Sequence, residues 1–237
     1  MSRIYFISDV HLNAHSSEVE ACKIARLIPF FEHVQATSKC LYIVGDLYNF
    51  WFEYRYVIPR VNLKVLAKLS QLVASGTAVH YLTGNHDLWH RTYLVEEIGL
   101  HLYHAPVMAT HNQLNLYIAH GDDLLESDRK LIWLRRVFES KINNVLFRWL
   151  HPDIGIPLAH WLTDKSALKG ENKYDAEYRR FAISRLQEGA DAVILGHTHK
   201  PICELMDGKY YVNLGEWIHK FTYLEIQDKQ FELKTWM

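Results

Sequence analysis

Residues 4–11 read Ile-Tyr-Phe-Ile-Ser-Asp-Val-His, a short apolar run that stops at two potential metal ligands, Asp9 and His11. The pattern returns four times. Leu41 to Val44 ends in Gly45-Asp46, Val79 to Thr83 in Gly84-Asn85-His86-Asp87, Leu114 to Ala119 in His120-Gly121-Asp122, and Ala192 to Leu195 in Gly196-His197-Thr198-His199. Runs this short suit buried strands, and helical patterns lie between them, so the chain reads as a layered α/β protein. Open α/β sheets build their sites outside the carboxyl ends of the strands, so five motifs are expected to converge on one crevice. One buried histidine is more often a satisfied core residue than a ligand. Five ligand clusters at five successive strand ends have no comparable structural explanation.

Between the first two runs, Ser17-x-x-Glu20 has the form of a capping box ahead of Ala21, Ile24, Ala25 and Leu27, with Pro29 expected to kink or end that helix. Pro59 suits the start of the next helix, Val65, Leu66, Leu69, Leu72 and Val73 form its stripe, and Gly76 suits its end. Residues 209 to 236 read as strands with aromatic alternation that close the sheet. The whole chain, 1–237, is expected to be one domain with a helical insertion, a cap, at about 122–189, because that interval is longer than an ordinary crossover needs. In it Leu131, Leu134, Phe138, Ile142, Val145 and Trp149 recur at helical spacing beside Arg135, Arg136, Lys141 and Arg148. Such a helix either packs on its own neighbours or covers the site and offers an apolar groove to a lipid chain.

Composition narrows the function. A net charge of −1 over 237 residues excludes an obvious polyanion binder and argues against a nuclease, so no nucleic-acid partner is expected. The 49% hydrophobic content excludes a disordered chain. Fifteen histidines point to metal binding or proton transfer. Cys22, Cys40 and Cys203 are too scattered for a disulfide framework, which fits a reducing compartment. The only apolar stretch before Asp9 is Ile4 to Ile7, too short for a signal peptide, so none is expected. Residues 98 to 121 carry no Asp, Glu, Lys or Arg, yet His101, His104, Pro106, His111, Asn112, Gln113 and Asn115 disqualify them as a bilayer span. The expected location is the cytoplasm.

Carboxylates, imidazoles and one amide oxygen, without thiolate, suit Mn²⁺, Fe²⁺ or Zn²⁺ better than a Ca²⁺ cage. The glycines beside Asp46, Asn85, His120 and His197 are expected to let the backbone turn tightly. With D-x-H, G-D, G-N-H-D, a later H and G-H-x-H in order over residues 9 to 199, the sequence resembles the calcineurin-like metallophosphoesterases. That resemblance implies a layered fold, a β-sheet sandwich flanked by helices, and a two-metal site. Asp9, His11, Asp46 and His199 would hold one ion and Asp46, Asn85, His120 and His197 the other. Asp46 would bridge. His86 would be the acid for the leaving oxygen, and Asp87 would orient its ring.

Within that superfamily GDLYNFW (45–51), HGDDLLESD (120–128) and the insert ahead of GHTHKP (196–201) look most like the UDP-2,3-diacylglucosamine hydrolases of lipid A synthesis. This likeness implies cleavage of a pyrophosphate to UMP and 2,3-diacylglucosamine 1-phosphate, two divalent ions of which Mn²⁺ is the expected species, and peripheral contact with the inner membrane surface. Asn85, His86, Asp128 and His197 match substrate-contacting positions, and Lys169 matches the substrate lysine, with Lys165 and Lys173 as the alternatives if the insert is gapped. Well-known members of the lipid family read GNRD where this chain reads GNHD, the form used by the wider phosphoesterases. A phosphomonoesterase or phosphodiesterase with another substrate is therefore the alternative. Tyr48, Phe50, Trp51, Phe52 and Tyr54 would stack on uracil or pack on the insert. Residues 213–217 would line the rear of the site through backbone. His101, His104, His111, His151 and His160 receive no role.

Overall fold

The computed structural model describes residues 3–60, 62–124, 140–166 and 175–237. In chain order these form β1 (Arg3–Ile7), α1 (Ser17–Thr37), β2 (Ser38–Val44), α2 (Leu63–Ala74), β3 (Ala78–Leu82), a π-helical turn (Leu94–Ile98), β4 (His101–Tyr103), β5 (Val107–His111) and β6 (Leu114–Ala119). There follow α3 (Lys141–Trp149), α4 (Pro152–Ser166), α5 (Asp175–Gln187), β7 (Ala192–Leu195), β8 (Pro201–Met206), β9 (Lys209–Leu214), β10 (Thr222–Gln227) and β11 (Gln230–Thr235).

Two mixed sheets stack face to face, one in the order β11-β10-β1-β2-β3-β4 and the other β5-β6-β7-β9-β8. β1, β2, β3 and β4 run parallel, as do β6, β7 and β9 in the second sheet. The apolar runs are continuous rather than alternating because both faces of these strands are buried. Tyr5, Ile7, Leu41 and Ile43 turn toward Leu27, Phe30 and Phe31 of α1 and Val65, Leu69 and Leu72 of α2. Ile4, Phe6, Tyr42 and Val44 turn the other way, onto Leu116, Ile118, Ile194 and Val212 of the second sheet. Val193 and Leu195 then face Tyr178, Ala182 and Leu186 of α5. The layers are helices, sheet, sheet, helix.

All five expected strands are present within a few residues of where the apolar runs lie, and the aromatic-rich tail forms β9, β10 and β11. Helix details differ. Pro29 lies inside α1, which continues to Thr37. Leu27, Phe30, Phe31 and Val34 are buried there against Tyr5, Trp217 and Tyr223, and that packing outweighs an interior proline's cost of about 3 kcal/mol. The capping box does not form: Ser16 occupies the cap with its hydroxyl on Glu18 rather than on a helix N–H, and Glu20 turns to the preceding loop. α2 starts at Leu63 rather than near Pro59, because the Asn62 side chain accepts the Lys64 N–H.

The interval expected to be a cap is not uniform. α5 packs on the second sheet as the crossover between β6 and β7. α3 and α4 instead dock through Phe147, Ile156 and Ala159 on Phe50, Phe52, Tyr54 and Trp89. Gly155 allows that approach, since a Cβ there would lie 3.1 Å from both the Phe147 ring and the Tyr54 hydroxyl. Leu131, Leu134 and Phe138, like Asp128, Lys169 and Lys173, lie outside the described residues. No helix among the described residues is long and apolar enough to cross a membrane.

Candidate metal centre

The carboxyl ends of β1, β2 and β3 in one sheet and of β6 and β7 in the other open on one crevice. Its floor is the buried set Asp9, His11, Asp46, His86 and His120, and its rim is the partly exposed set Asn85, His197 and His199. Three groups in it could hold a metal ion, their ligand atoms within 4.8 Å of one another: Asp9, His11 and His199; Asp46, His120 and His197; and His11, Asp46 and His86. Asp46 belongs to two of them. Its Oδ2 lies 3.3 Å from His120 Nε2 and 3.7 Å from His11 Nε2. Asn85 joins through its Oδ1, 3.3 Å from His120 Nε2.

The backbone is forced into place to achieve this. Asp9, His11, Asp46, His197 and His199 all have left-handed φ, from 47° to 68°. Such conformations cost on the order of 1–3 kcal/mol each for residues with a side chain and concentrate at functional sites. Gly45, at φ 82°, sits where a Cβ would lie 2.3 Å from His120 Nδ1. Gly84 serves proximity rather than the expected tight turn: its φ is not positive, but a Cβ would lie 2.1 Å from Asp46 Oδ1.

Hydrogen bonds aim the side chains. His120 Nδ1 meets the Val44 carbonyl at 2.8 Å, which leaves Nε2 for the crevice. The His197 and His86 N–H groups donate to Asp9 Oδ2 and Asp46 Oδ1 at 2.9 and 3.0 Å. The rear is closed by the Trp217 N–H on the Asp9 carbonyl and by the Asn213 side-chain amide on the Gly196 carbonyl, so a side chain shares the part expected of backbone alone. The expected contact from Asp87 to the His86 ring is corrected. His86 Nδ1 faces the Asn49 carbonyl at 3.1 Å, while the Asp87 carboxylate receives the N–H groups of Gly84, Asp46 and Tyr48 and the Tyr81 hydroxyl. Asp87 therefore ties the G-D loop to the G-N-H-D loop, and Asn49 orients the imidazole. Neither role has a signature in a motif. Phe50, Phe52 and Tyr54 pack on the insert, while Tyr48 and Trp51 enter the core between β1 and α2.

Electrostatics favour a cation. Burial pushes the Asp9 carboxyl up, but hydrogen bonds from His11 and His199 and the charge of His120 outweigh it and hold the group well below the usual range. Burial also opposes ionisation of Asp46, and His120, His86 and His11 overcome it. Burial and the neighbouring His120 pull His197 down to about 4. Burial lowers His11 as well. For His120 the burial penalty is outweighed by Asp46 and Asp9, which raise it well above its ordinary value. Two features fit a bound ion. The buried Asp9 Oδ1 lies 3.3 Å from His199 Nε2 and 3.7 Å from His11 Nε2, and His11 Nε2 and His199 Nε2 face each other at 3.2 Å. Ionised carboxylates with imidazoles and an amide oxygen are a donor set for a borderline divalent cation.

A convergent Asp/His crevice at the ends of two stacked sheets is the arrangement of a metal-dependent phosphoesterase. The calcineurin-like phosphoesterase model matches residues 2–201, and the chain belongs to that family. It is a metal-dependent hydrolase, and the family implies divalent ions. Among curated relatives, the UDP-2,3-diacylglucosamine hydrolase of Porphyromonas gingivalis is 31% identical over 94% of this chain and 93% of its own. The protein of the same name from Haemophilus ducreyi is 28% identical over 98% of this chain and 99% of its own. A third, from Neisseria meningitidis, is 28% identical over 92% and 90%.

Proposed function

We propose that this enzyme cleaves the pyrophosphate of UDP-2,3-diacylglucosamine to UMP and 2,3-diacylglucosamine 1-phosphate. The similarity to hydrolases of that name along nearly their full length carries the substrate. The shared position of Asp46 between two ligand groups carries the chemistry. Asp9, His11, Asp46 and His199 hold one ion, and Asp46, Asn85, His120 and His197 hold the second, with Mn²⁺ as the species. Two such ions supply Lewis-acid stabilisation of an in-line attack on phosphorus and lower the pKa of the attacking water.

The chain's own residues do the rest. His86 donates through Nδ1 to the Asn49 carbonyl, so Nε2 is the ring atom left for the phosphate. Asn85 and His197, at the rim, contact substrate beside their ligand roles, and Asp128 and one insert lysine, Lys169 or, if the insert is gapped, Lys165 or Lys173, complete the substrate contacts. The departing group is a phosphate monoester with a second pKa of about 6, so it needs no proton at neutral pH. The single domain carries its cap in the insert, where Ile142, Val145, Leu146, Trp149, Ile154, Leu158 and Trp161 leave apolar surface exposed. That surface receives the acyl chains and touches the inner membrane from the cytoplasmic side. Mass spectrometry of products after incubation with UDP-2,3-diacylglucosamine and Mn²⁺, beside generic phosphodiesters, tests the proposal. UMP and the acylated sugar phosphate are expected. Turnover of the generic esters alone would transfer the same site to the phosphodiesterase reading.

A further inference from the structure

The five left-handed site residues need something to hold them. For the Asp9-Val10-His11 loop the backbone N–H groups are accounted for: Asp9 donates to the Gly45 carbonyl, Val10 and His11 to the Asp46 carbonyl, and Leu12 to the Leu47 carbonyl. The carbonyls on the opposite side of the loop point toward α1. There the fully buried Lys23 reaches them, its Nζ 2.6 Å from the His11 oxygen and 3.2 Å from the Val10 oxygen. Its third partner is Glu20 Oε1, at 2.6 Å, so all three ammonium protons are used. His15 Nδ1 adds a contact at 3.4 Å. Glu20 completes the clamp by accepting the N–H groups of Asn13 and His15 at 2.9 and 3.1 Å.

Lys23 thus stands where α1 would otherwise present an apolar side chain. The buried face of the helix is Lys23, Leu27, Phe30, Phe31 and Val34, and a lysine in that stripe loses its hydration. We propose that Lys23, held by Glu20, is a positioning residue that fixes the His11 segment so that Asp9, His11 and His199 share one ion. The inference rests on the reading of these three residues as metal ligands.

Calorimetric titration of the metal-free full-length protein with Mn²⁺ tests both layers. The wild type should take up two ions, one of them lost in His11→Ala. Lys23→Met, which keeps length and removes the charge, should weaken that ion tenfold or more, in line with the effect of partners that support a ligand, and leave the other within about twofold. Raising Mn²⁺ should restore its turnover. Leu27→Ala, one turn along the same buried face, should lower the melting temperature and leave both affinities unchanged. If Lys23→Met does not fold, Glu20→Gln retains the lysine and should weaken the same ion severalfold. Unaltered uptake in whichever of the two variants folds overturns the inference. Equal weakening of both ions, matched by Leu27→Ala, overturns it as well, by reducing the pair to a structural role. A wild type that takes up no ion, or a His11→Ala variant with an unchanged titration, overturns the metal-site reading and this inference with it.

Discussion

At the strand ends, Asp9 and Asp46 are almost sealed from solvent, sit in left-handed backbone and are surrounded by imidazoles. On α3 and α4, Trp149 is 85% exposed and Trp161 54%, and the helices touch the body mainly through Phe147, Ile156 and Ala159. The first region spends stability on geometry; the second leaves apolar side chains in water, where burying them would be favourable. Under the proposed function the difference separates chemistry from selectivity: the preorganised crevice would act on the phosphate, and the insert would decide which molecule reaches it.

The largest effect that can break this division falls on Asp46. Partners that merely support a ligand are worth 10–100-fold, so removing a ligand shared by two groups should exceed about 100-fold. Asp46→Ala is expected to lose both ions and turnover on every substrate. Gly84→Ala, which places a methyl on the Asp46 carboxylate, should approach it in rates and metal content measured side by side. Normal activity in Asp46→Ala would end the distinction between the two regions.

Next comes the insert. Each methylene buried contributes about 0.8 kcal/mol, so Trp149→Ser should cost roughly tenfold in KM on an acylated substrate and nothing on a small ester. Because Trp149 is exposed, melting temperature should not move, whereas Phe147→Ala should lower it by unseating α3 from Phe50 and Phe52. Equal loss on both substrates would place Trp149 in ordinary packing.

His86 sharpens the same comparison with a smaller effect. General acid catalysis is worth about 10²–10⁴-fold where a basic alkoxide leaves. With a phosphate leaving group, His86→Arg should stay within about tenfold on UDP-2,3-diacylglucosamine at unchanged metal content. A collapse there would show that the imidazole proton is needed.

The chemistry was legible in the strand-end motifs because each ligand follows an apolar run by one to four residues, and burial on both faces made those runs stand out. β4, β5 and β8 were not legible: His101-Leu-Tyr and Val107-Met-Ala-Thr-His mix polar and apolar side chains over half-exposed edges and leave no continuous run. Adjacency in sequence points Asp87 at the His86 ring, while the fold brings the Tyr81 hydroxyl and the Gly84 and Asp46 N–H groups to it. Lys23 did leave a signal, a charge at helical spacing from Leu27, Phe30 and Val34. Asp128 and Lys169 lie outside the described residues.

The smallest effect concerns histidines outside the crevice. His80 stacks between Tyr42 and His101, and Tyr42 reaches His111 across the sheets. Burial, with His101 and His111, brings His80 down to about 4. Burial, with His104, holds His90 well below its ordinary value, and both its ring nitrogens lack partners. These groups stay neutral when folded and take up protons when unfolded. The stability they allow is complete above the unfolded value of about 6.5 and is lost as pH falls below it, for His80 down to about 4, by up to about 1.4 kcal/mol per pH unit for each such group. Denaturant melts between pH 7 and 4 should show that slope, reduced in His90→Phe. An unchanged slope in that variant would assign the acid sensitivity to His80 and the crevice instead.

The central claim, two ions astride Asp46, is tested most directly by an anomalous difference map from a crystal of the Mn²⁺-loaded protein. The account predicts two peaks about 3.5–4 Å apart, one beside Asp9, His11 and His199, the other beside Asn85, His120 and His197, with Asp46 in reach of both. A single peak, or two peaks of which only one is in reach of Asp46, would contradict it.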